Sequence, residues 1–309
     1  MNGVPLAPRA LGDLAARHGG EIRNGDGSSN VKSFTIRRLV PITRAAAGDL
    51  TVLLHARYID DAARAVSRGA AILVDEAFAA RPDVALLPAW VHPHAAWTLA
   101  TLLDTADAPL DEPVIGEGCK IGPGVHLAPR VKLGARVTIA PGAIIGAPGF
   151  GFLTGPYGST RDMPQLGGVV IEDDVHIGAL CTIAAGTIGP TILRRGVKID
   201  AQVHVGHNCE IGEGTIIAAQ SGLAGSVILG AGCLVGGQVG IADHLVIGDG
   251  VKIAAKSGVI GDIAAGTTVA GYPAVERPRW LRGLAELYRL SGGSTRPPPT
   301  GTLRPPGEP

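Results

Sequence analysis

Four polar residues, His204, His207, Asn208 and His244, interrupt a stretch that is otherwise aliphatic and glycine-rich. An imidazole ionises near neutral pH, so a histidine in a cleft can take a proton from a nucleophile. Around these residues, between Val197 and Gly248, an aliphatic side chain returns at every sixth position: Ile199, Val205, Ile211, Ile217, Leu223, Leu229, Val235, Ile241 and Ile247. That period fits neither a helix of 3.6 nor a strand of 2. It marks a solenoid of hexapeptide repeats, three of which close one triangular coil of 18 residues. Residues 18 apart then stack, so His207 lies under Gly225 and Gly225 under Asp243, with His244 beside it. The two histidines fall two coils apart, about 10 Å, which is close enough to line one cleft. A glycine amide above an imidazole can approach a developing oxyanion with no side chain in the way. This constellation suits acyl transfer. Histidine in a repeat is not a signal by itself, because His126 and His176 occupy outward repeat positions too.

The chain must supply the frame that holds these groups. It has 309 residues, 46% of them hydrophobic, yet only 4% aromatic, with 46 glycines. A core of small and branched aliphatic side chains joined by tight turns follows, as a β-solenoid requires. The 27 basic and 27 acidic residues balance, which argues against nucleic acid or a charged membrane surface as partner. The four cysteines, Cys119, Cys181, Cys209 and Cys233, form no C-x-x-C pair and are expected to be small buried thiols. No basic-then-apolar leader precedes residue 20, and no apolar run reaches the roughly 18 to 20 residues that span a bilayer. A cytoplasmic protein without a membrane span is expected.

Residues 1–110 lack the six-residue period and are expected to form a small α/β domain, a candidate for nucleotide binding. Leu11, Leu14 and Ala15 suit a short amphipathic helix ending at Gly19-Gly20. Strands are expected over Ser33–Val40, Asp49–Leu54 and Ala70–Val74, helices over Asp60–Ser67 and Ala95–Leu103, and a linker over Asp104–Pro113. The β-helix is expected over 111–272. Ile115, Ile121, Leu127, Leu133, Ile139 and Ile145 open it; a 20-residue insertion, Ala147–Leu166, interrupts it; Ile171, Ile177 and Ile183 resume it. A four-residue slip at Thr187–Thr191 precedes the long run, and roughly seven coils result.

A single coil cannot cover its own apolar face, whereas stacking buries each inward side chain for about 1.5 to 3 kcal/mol. Open ends would invite polymerisation. The N-terminal domain is expected to cap one end and a short C-terminal helix, within 273–290, the other; the Pro- and Gly-rich segment 291–309 is expected to be disordered. Within the insertion, Phe150 and Phe152 alternate with glycines, either to contact a ligand or to plug the side of the coil. Arg279, Trp280 and Arg282 belong to a basic helix that either recognises an acidic carrier protein or is a solvated cap.

At these residues the sequence resembles the UDP-3-O-(3-hydroxyacyl)glucosamine N-acyltransferases of lipid A synthesis, over most of residues 1–290. The likeness is carried by HVGHNCEIG around His207-Asn208, LAGS at Leu223–Ser226, GGQVGIADH ending at His244 and including Gln238, the GAPGFGF loop from Gly146, and AGYPA-x5-W ending at Trp280. The resemblance implies a left-handed parallel β-helix and a homotrimer with sites between neighbouring solenoids. It implies transfer of an acyl chain from acyl carrier protein, or from coenzyme A, to the amino group of a nucleotide-linked sugar, with no cofactor and no metal. On that basis His207 is the general base, the Gly225 amide stabilises the oxyanion, and His244 is a second catalytic or positioning group. His204, Asn208, Gln238, Phe150, Phe152, His55 and Tyr58 are the candidate substrate contacts.

The chain departs from the family in places. Where the family offers Phe, Asn and Tyr to a uracil, LTVLLHARY presents Val52, His55 and Tyr58, and a family T-I-D-R-G stretch reads Thr182-Ile183-Ala184-Ala185-Gly186. The acceptor therefore stays open between the lipid A precursor and another amino sugar. Two alternatives stand beside acyl transfer: a zinc hydratase resembling the γ-type carbonic anhydrases, although His204 and His207 are three residues apart where that family's ligand pair is five apart, and a non-catalytic scaffold.

Overall fold

A computed structural model of the chain describes residues 3–25, 30–106, 108, 111–155, 158–271 and 277–290. Residues 1–271 form one compact unit and residues 272–309 a second.

The N-terminal part of the first unit is a six-stranded sheet ordered β1-β3-β4-β5-β6-β2. Its elements are β1 (Val4–Ala10), α1 (Leu11–His18), β2 (Glu21–Arg23), β3 (Thr35–Leu39), β4 (Asp49–Leu53), α2 (Ile59–Ser67), β5 (Ala71–Asp75), α3 (Glu76–Ala79), α4 (Pro82–Ala85), β6 (Ala89–His92) and α5 (Ala95–Asp104). β3 to β6 pair in parallel, while β1 and β2 join the two edges antiparallel. The expected helices and strands are present to within a residue or two at each end. β1 was not among the expected strands, and it carries Pro5 and Pro8. It is an edge strand with an irregular register between Pro5 and Arg9, which is where a sheet tolerates missing donors.

From Val114 to Val269 the chain winds through three parallel sheets of seven, eight and seven strands; in the regular run from Lys198 to Ile253 each strand pairs with the third one along the sequence, and the last pair, Lys252↔Thr268, stands 16 residues apart. Within that run paired residues stand 18 apart, as in Lys198↔Ile216. The separation grows to 38 across the insertion (Val131↔Val169) and to 22 across the slip (Thr182↔His204), so the extra residues loop out without shifting the column. Every inward aliphatic residue from Ile199 to Ile247 is buried. Cys181, Cys209 and Cys233 fill the buried positions two residues ahead, and burial pushes the Cys209 thiol up to about 12.

The turns require the left-handed region at one residue in six, and the three corners of the long run meet this differently. One corner uses Gly196, Gly214, Gly232 and Gly250; a second uses Gln202, Gln220 and Gln238; the third uses Asn208, Ser226 and His244, with φ of 59°, 62° and 58°. Glycine thus serves one corner in three, and at the others the repeat carries the strain of non-glycine residues in that conformation.

Two expectations about caps and plugs need correction. Val114, Ile115 and Ile121 of the first coil are 55%, 50% and 41% exposed, so the N-terminal domain does not cover that end. It lies against the flank of the coils, where Met163, Leu166 and Ile188 pack on its apolar core. The insertion is neither a free loop nor a plug. It forms an antiparallel hairpin, Phe152–Thr154 with Thr160–Asp162, that leans on α5: Arg161 bonds to Thr101 Oγ1 (2.9 Å), pairs with Asp104 and lies 5.0 Å over the Trp97 ring.

The second unit contains α6 (Arg277–Leu290), on which Arg279 and Arg282 are exposed. The Trp280 side chain, residues 273–276, the tail 291–309 and parts of the Asp104–Pro113 linker lie outside the described residues. Among the described residues no helix is long and apolar enough to cross a membrane.

Candidate active site

The corner that carries His207 faces the N-terminal domain, and between them lies a cleft of about 480 Å3. Its solenoid wall includes His207, Asn208, Ser226 and His244, and its opposite wall includes Val52, His55 and Tyr58. Gly151, Leu153 and Gln165 of the insertion and Thr187–Pro190 of the slip close the remaining sides. Both irregularities of the repeat are therefore used to build this cavity.

The stacking read from the 18-residue period is present. A methyl group placed on Gly225 would meet the His207 ring at 2.5 Å from both Cε1 and Nε2, so the imidazole lies directly on the bare glycine. The Gly225 N–H has no acceptor among the described residues. At some equivalent positions the N–H is taken, by Asp200 Oδ1 at Ala201 (2.7 Å) and by Asp249 Oδ1 at Ala231 (2.8 Å), while those of Ala219 and Gly237 are, like that of Gly225, without an acceptor among the described residues. The loop from Gly146 also approaches this side chain, where a methyl on Gly149 would stand 2.7 Å from His207 Cβ and 2.8 Å from Cδ2. Two glycines thus make room for the imidazole.

Asn208 orients that ring. The Thr187 backbone N–H donates to Asn208 Oδ1 (2.7 Å), which leaves the amide nitrogen to donate to Thr187 Oγ1 (3.1 Å) and to His207 Nδ1 (2.9 Å). Thr187 Oγ1 in turn donates to Gln165 Oε1 (2.9 Å), and Gln165 Nε2 to the Met163 carbonyl (3.2 Å). Thr187 was not singled out from the sequence. The only available signal was the four-residue slip, which reads as a defect in the repeat until the fold shows it holding Asn208.

His244 stacks on His55 of the N-terminal domain, with ring centroids 4.7 Å apart and planes at 12°. Its Nδ1 is buried and has no partner among the described residues. Burial, then the neighbouring His55, holds its pKa below the usual histidine value; Arg57 and His207 act in the same direction and Asp243 against it. The His207 pKa is lowered by burial and by His204, with Asp243 opposing. Position 55 thus faces the histidine column. Tyr58 lines the same wall, half-buried, with the Arg57 guanidinium 5.6 Å from its ring.

Four candidate contacts lie elsewhere. His204 is exposed on the adjoining sheet face, outside the cleft lining. Gln238 belongs to a glutamine ladder at another corner, donating to Gln220 Oε1 (2.7 Å) while Gln220 donates to Gln202 (2.9 Å). Phe150 and Phe152 are exposed and pack on each other with centroids 4.9 Å apart; Gly151 and Leu153, which alternate with them, face the cleft instead. In each case the strand period of two or the corner period of six sends the residue to the wrong side. Among the described residues of the single chain no three His, Cys, Asp or Glu side chains converge as a metal-binding group.

Comparison with known proteins places the repeat and its relatives. The bacterial transferase hexapeptide model (six repeats) matches residues 112–147 and 190–225. The UDP-3-O-acylglucosamine N-acyltransferase of Anaeromyxobacter dehalogenans (strain 2CP-1) is 41% identical over 181 residues, 57% of this chain and 51% of that protein. The protein of the same name from Caulobacter vibrioides (strain NA1000) is 46% identical over 157 residues, 51% of this chain and 46% of that one. The chain thus spans about half the length of the curated relatives it matches. Among solved structures, the UDP-N-acetylglucosamine acyltransferase from Campylobacter jejuni aligns at 22% identity over 62% of this chain and 91% of that one, with a TM-score of 0.42, too low to carry an argument. The resemblance to the UDP-3-O-acylglucosamine N-acyltransferases is borne out by these relatives.

Proposed function

We propose that this protein is an N-acyltransferase that moves an acyl chain from a thioester to the amino group of a nucleotide-linked sugar. The observation that carries this is the His207 imidazole, which lines the cleft and lies on Gly225, whose N–H has no acceptor among the described residues. An amine attacking a thioester carbonyl needs a donor for the oxygen that becomes negative and a route for its own proton. Preorganised N–H groups meet the first need, and removing one such donor typically costs about 10²–10³ in rate. Burial keeps His207 and His244 neutral near pH 7, which meets the need for uncharged imidazoles. The resemblance gives proton removal to His207.

The finer assignments belong to the same proposal: acyl carrier protein or coenzyme A as donor, a homotrimer of left-handed coils, a cytoplasmic location, and Arg279, Trp280 and Arg282 as the carrier's contact. Tyr58 and His55 stand where a nucleoside would rest on the N-terminal domain, and the change from the family pattern at Val52 and His55 leaves the acceptor base open.

A mass-spectrometric screen of acyl-carrier-protein and coenzyme A thioesters against nucleotide amino sugars tests this. Wild type should form an amide product, and His207→Ala should lose at least about a thousandfold in kcat/KM while remaining folded. Equal background rates for both proteins across all amines would replace the enzyme with a scaffold.

A further inference from the structure

We infer that His55 is a positioning residue for His244: the N-terminal domain lays one imidazole on the other and so fixes a ring that the coil by itself leaves free to turn. For its effect on rate this rests on the proposed acyl transfer; the contact itself stands on geometry. The two histidines that line the cleft from the coil are held in different ways. His207 is tied through Nδ1 to the Asn208 side chain (2.9 Å), which the Thr187 N–H holds in turn (2.7 Å). His244 has no such tie. Its backbone is pinned at the corner, with φ of 58° and its N–H donating to the Gly225 carbonyl (3.0 Å). Its Nδ1, however, is buried without a partner, and among the described residues no side-chain hydrogen bond fixes the ring. A side chain so placed can turn about its two torsions unless something packs on it. What packs on it is His55, with ring centroids 4.7 Å apart and planes at 12°.

His55 is itself anchored. It follows β4, an inner strand of the N-terminal sheet, and opens the 3-10 turn Ala56–Tyr58, where its Nδ1 accepts from the Arg57 N–H (3.3 Å). Tyr58 meets its ring edge-on, with centroids 6.4 Å apart and planes at 71°. The stack therefore joins the end of a sheet strand to a corner of the solenoid, two frames that lie far apart in the chain. The same contact bears on charge, because stacked imidazoles repel when both are protonated. Burial is the largest influence on His244 and acts against its charged form; His55 and Arg57 from the N-terminal domain and His207 from the coil act the same way, and Asp243 opposes them. An uncharged ring held in one plane offers its nitrogens to a substrate in one direction. A ring that turns and protonates does so for part of the time. His55 is exposed, so replacing it leaves the core of its domain intact.

Two substitutions separate the ring of His55 from its polar edge. His55→Phe keeps a flat ring for the stack and loses the acceptor for the Arg57 N–H; His55→Asn keeps an acceptor there and loses the ring. In NMR titrations of the full chain labelled at histidine nitrogens, with His244→Ala identifying the signals, His244 should titrate below the ordinary histidine value in wild type and in His55→Phe, and nearer to it in His55→Asn. Equal His244 titrations in wild type and His55→Asn overturn the inference whether or not acyl transfer occurs. In turnover, His55→Asn should lose about ten- to a hundredfold in kcat with KM for the sugar little changed. The acid limb of its pH profile should move to higher pH, and His55→Phe should keep kcat within a few-fold of wild type. A raised KM at unchanged kcat in His55→Asn makes His55 a substrate contact and overturns the inference, as does a His55→Phe protein no faster than His55→Asn. If wild type acylates no amine, the proposed function fails, and the titrations still decide whether His55 holds His244.

Discussion

Two corners of the solenoid share one backbone and diverge in everything else. Gln202, Gln220 and Gln238 have φ of 59°, 61° and 57°; Asn208, Ser226 and His244 have φ of 59°, 62° and 58°. At the first corner long side chains fold along the surface and bond from coil to coil, with Ala201, Ala219 and Gly237 just before them. At the second, short and aromatic side chains leave no ladder, Gly225 replaces the alanine seen at Ala219, and the N-terminal sheet, the hairpin and the slip close over the gap. The coil thus supplies position, and what packs outside it makes one corner a cleft and the other a solvated edge.

The largest effect should come from filling the gap at the second corner. Gly225→Ala puts a methyl 2.5 Å from the His207 ring, so the ring must shift: acyl transfer should fall by about 10²–10³, and the overlap should cost about 1 to 3 kcal/mol of stability. Activity within a few-fold of wild type would show that the ring has room to move and that the two corners differ less than their geometry implies.

The second corner, with His204 on the adjoining strand, should also carry a pH dependence that the first corner lacks. His204, His207 and His244 are held below the ordinary histidine value, so the unfolded chain binds more protons than the folded one below about pH 6.5. Stability should therefore be level above that pH and fall as pH drops through the window between the ordinary value and the lowered ones. Urea midpoints between pH 8 and 5 should show this, with a shallower decline in His207→Ala; parallel declines would place the burden on other groups. Smaller again is Gly237→Ala, the matched change at the first corner. Its methyl would stand 3.3 Å from the Ala219 carbonyl, so a loss within about 1 kcal/mol and full activity are expected. Least of all is Gln220→Ala, which removes two exposed bonds of the ladder and should cost about 0.5 to 1 kcal/mol in urea unfolding, with kcat untouched.

The same contrast explains what was legible beforehand. Stacking in register is a matter of counting, so the 18-residue column of His207 and Gly225, the insertion and the slip could all be placed from residue numbers alone. Direction across a corner or a hairpin could not. Phe150 and Phe152 carry the conspicuous aromatic signal, yet the alternation of the strand turns Gly151 and Leu153 to the cleft. Gln238 sits in a motif shared with His244, yet six residues of separation carry it to another corner.

From sequence alone came the repeat, its period, the inward aliphatic column and the imidazole over a bare glycine, because each follows from local spacing repeated along one axis. The tertiary structure alone decided which side of the coils the N-terminal sheet covers, that His55 meets His244, and that the Thr187 backbone N–H, in the four-residue slip, holds the Asn208 amide against His207. Those contacts join segments far apart in the chain, and their energy depends on shape and hydrogen-bond direction, which no periodicity encodes.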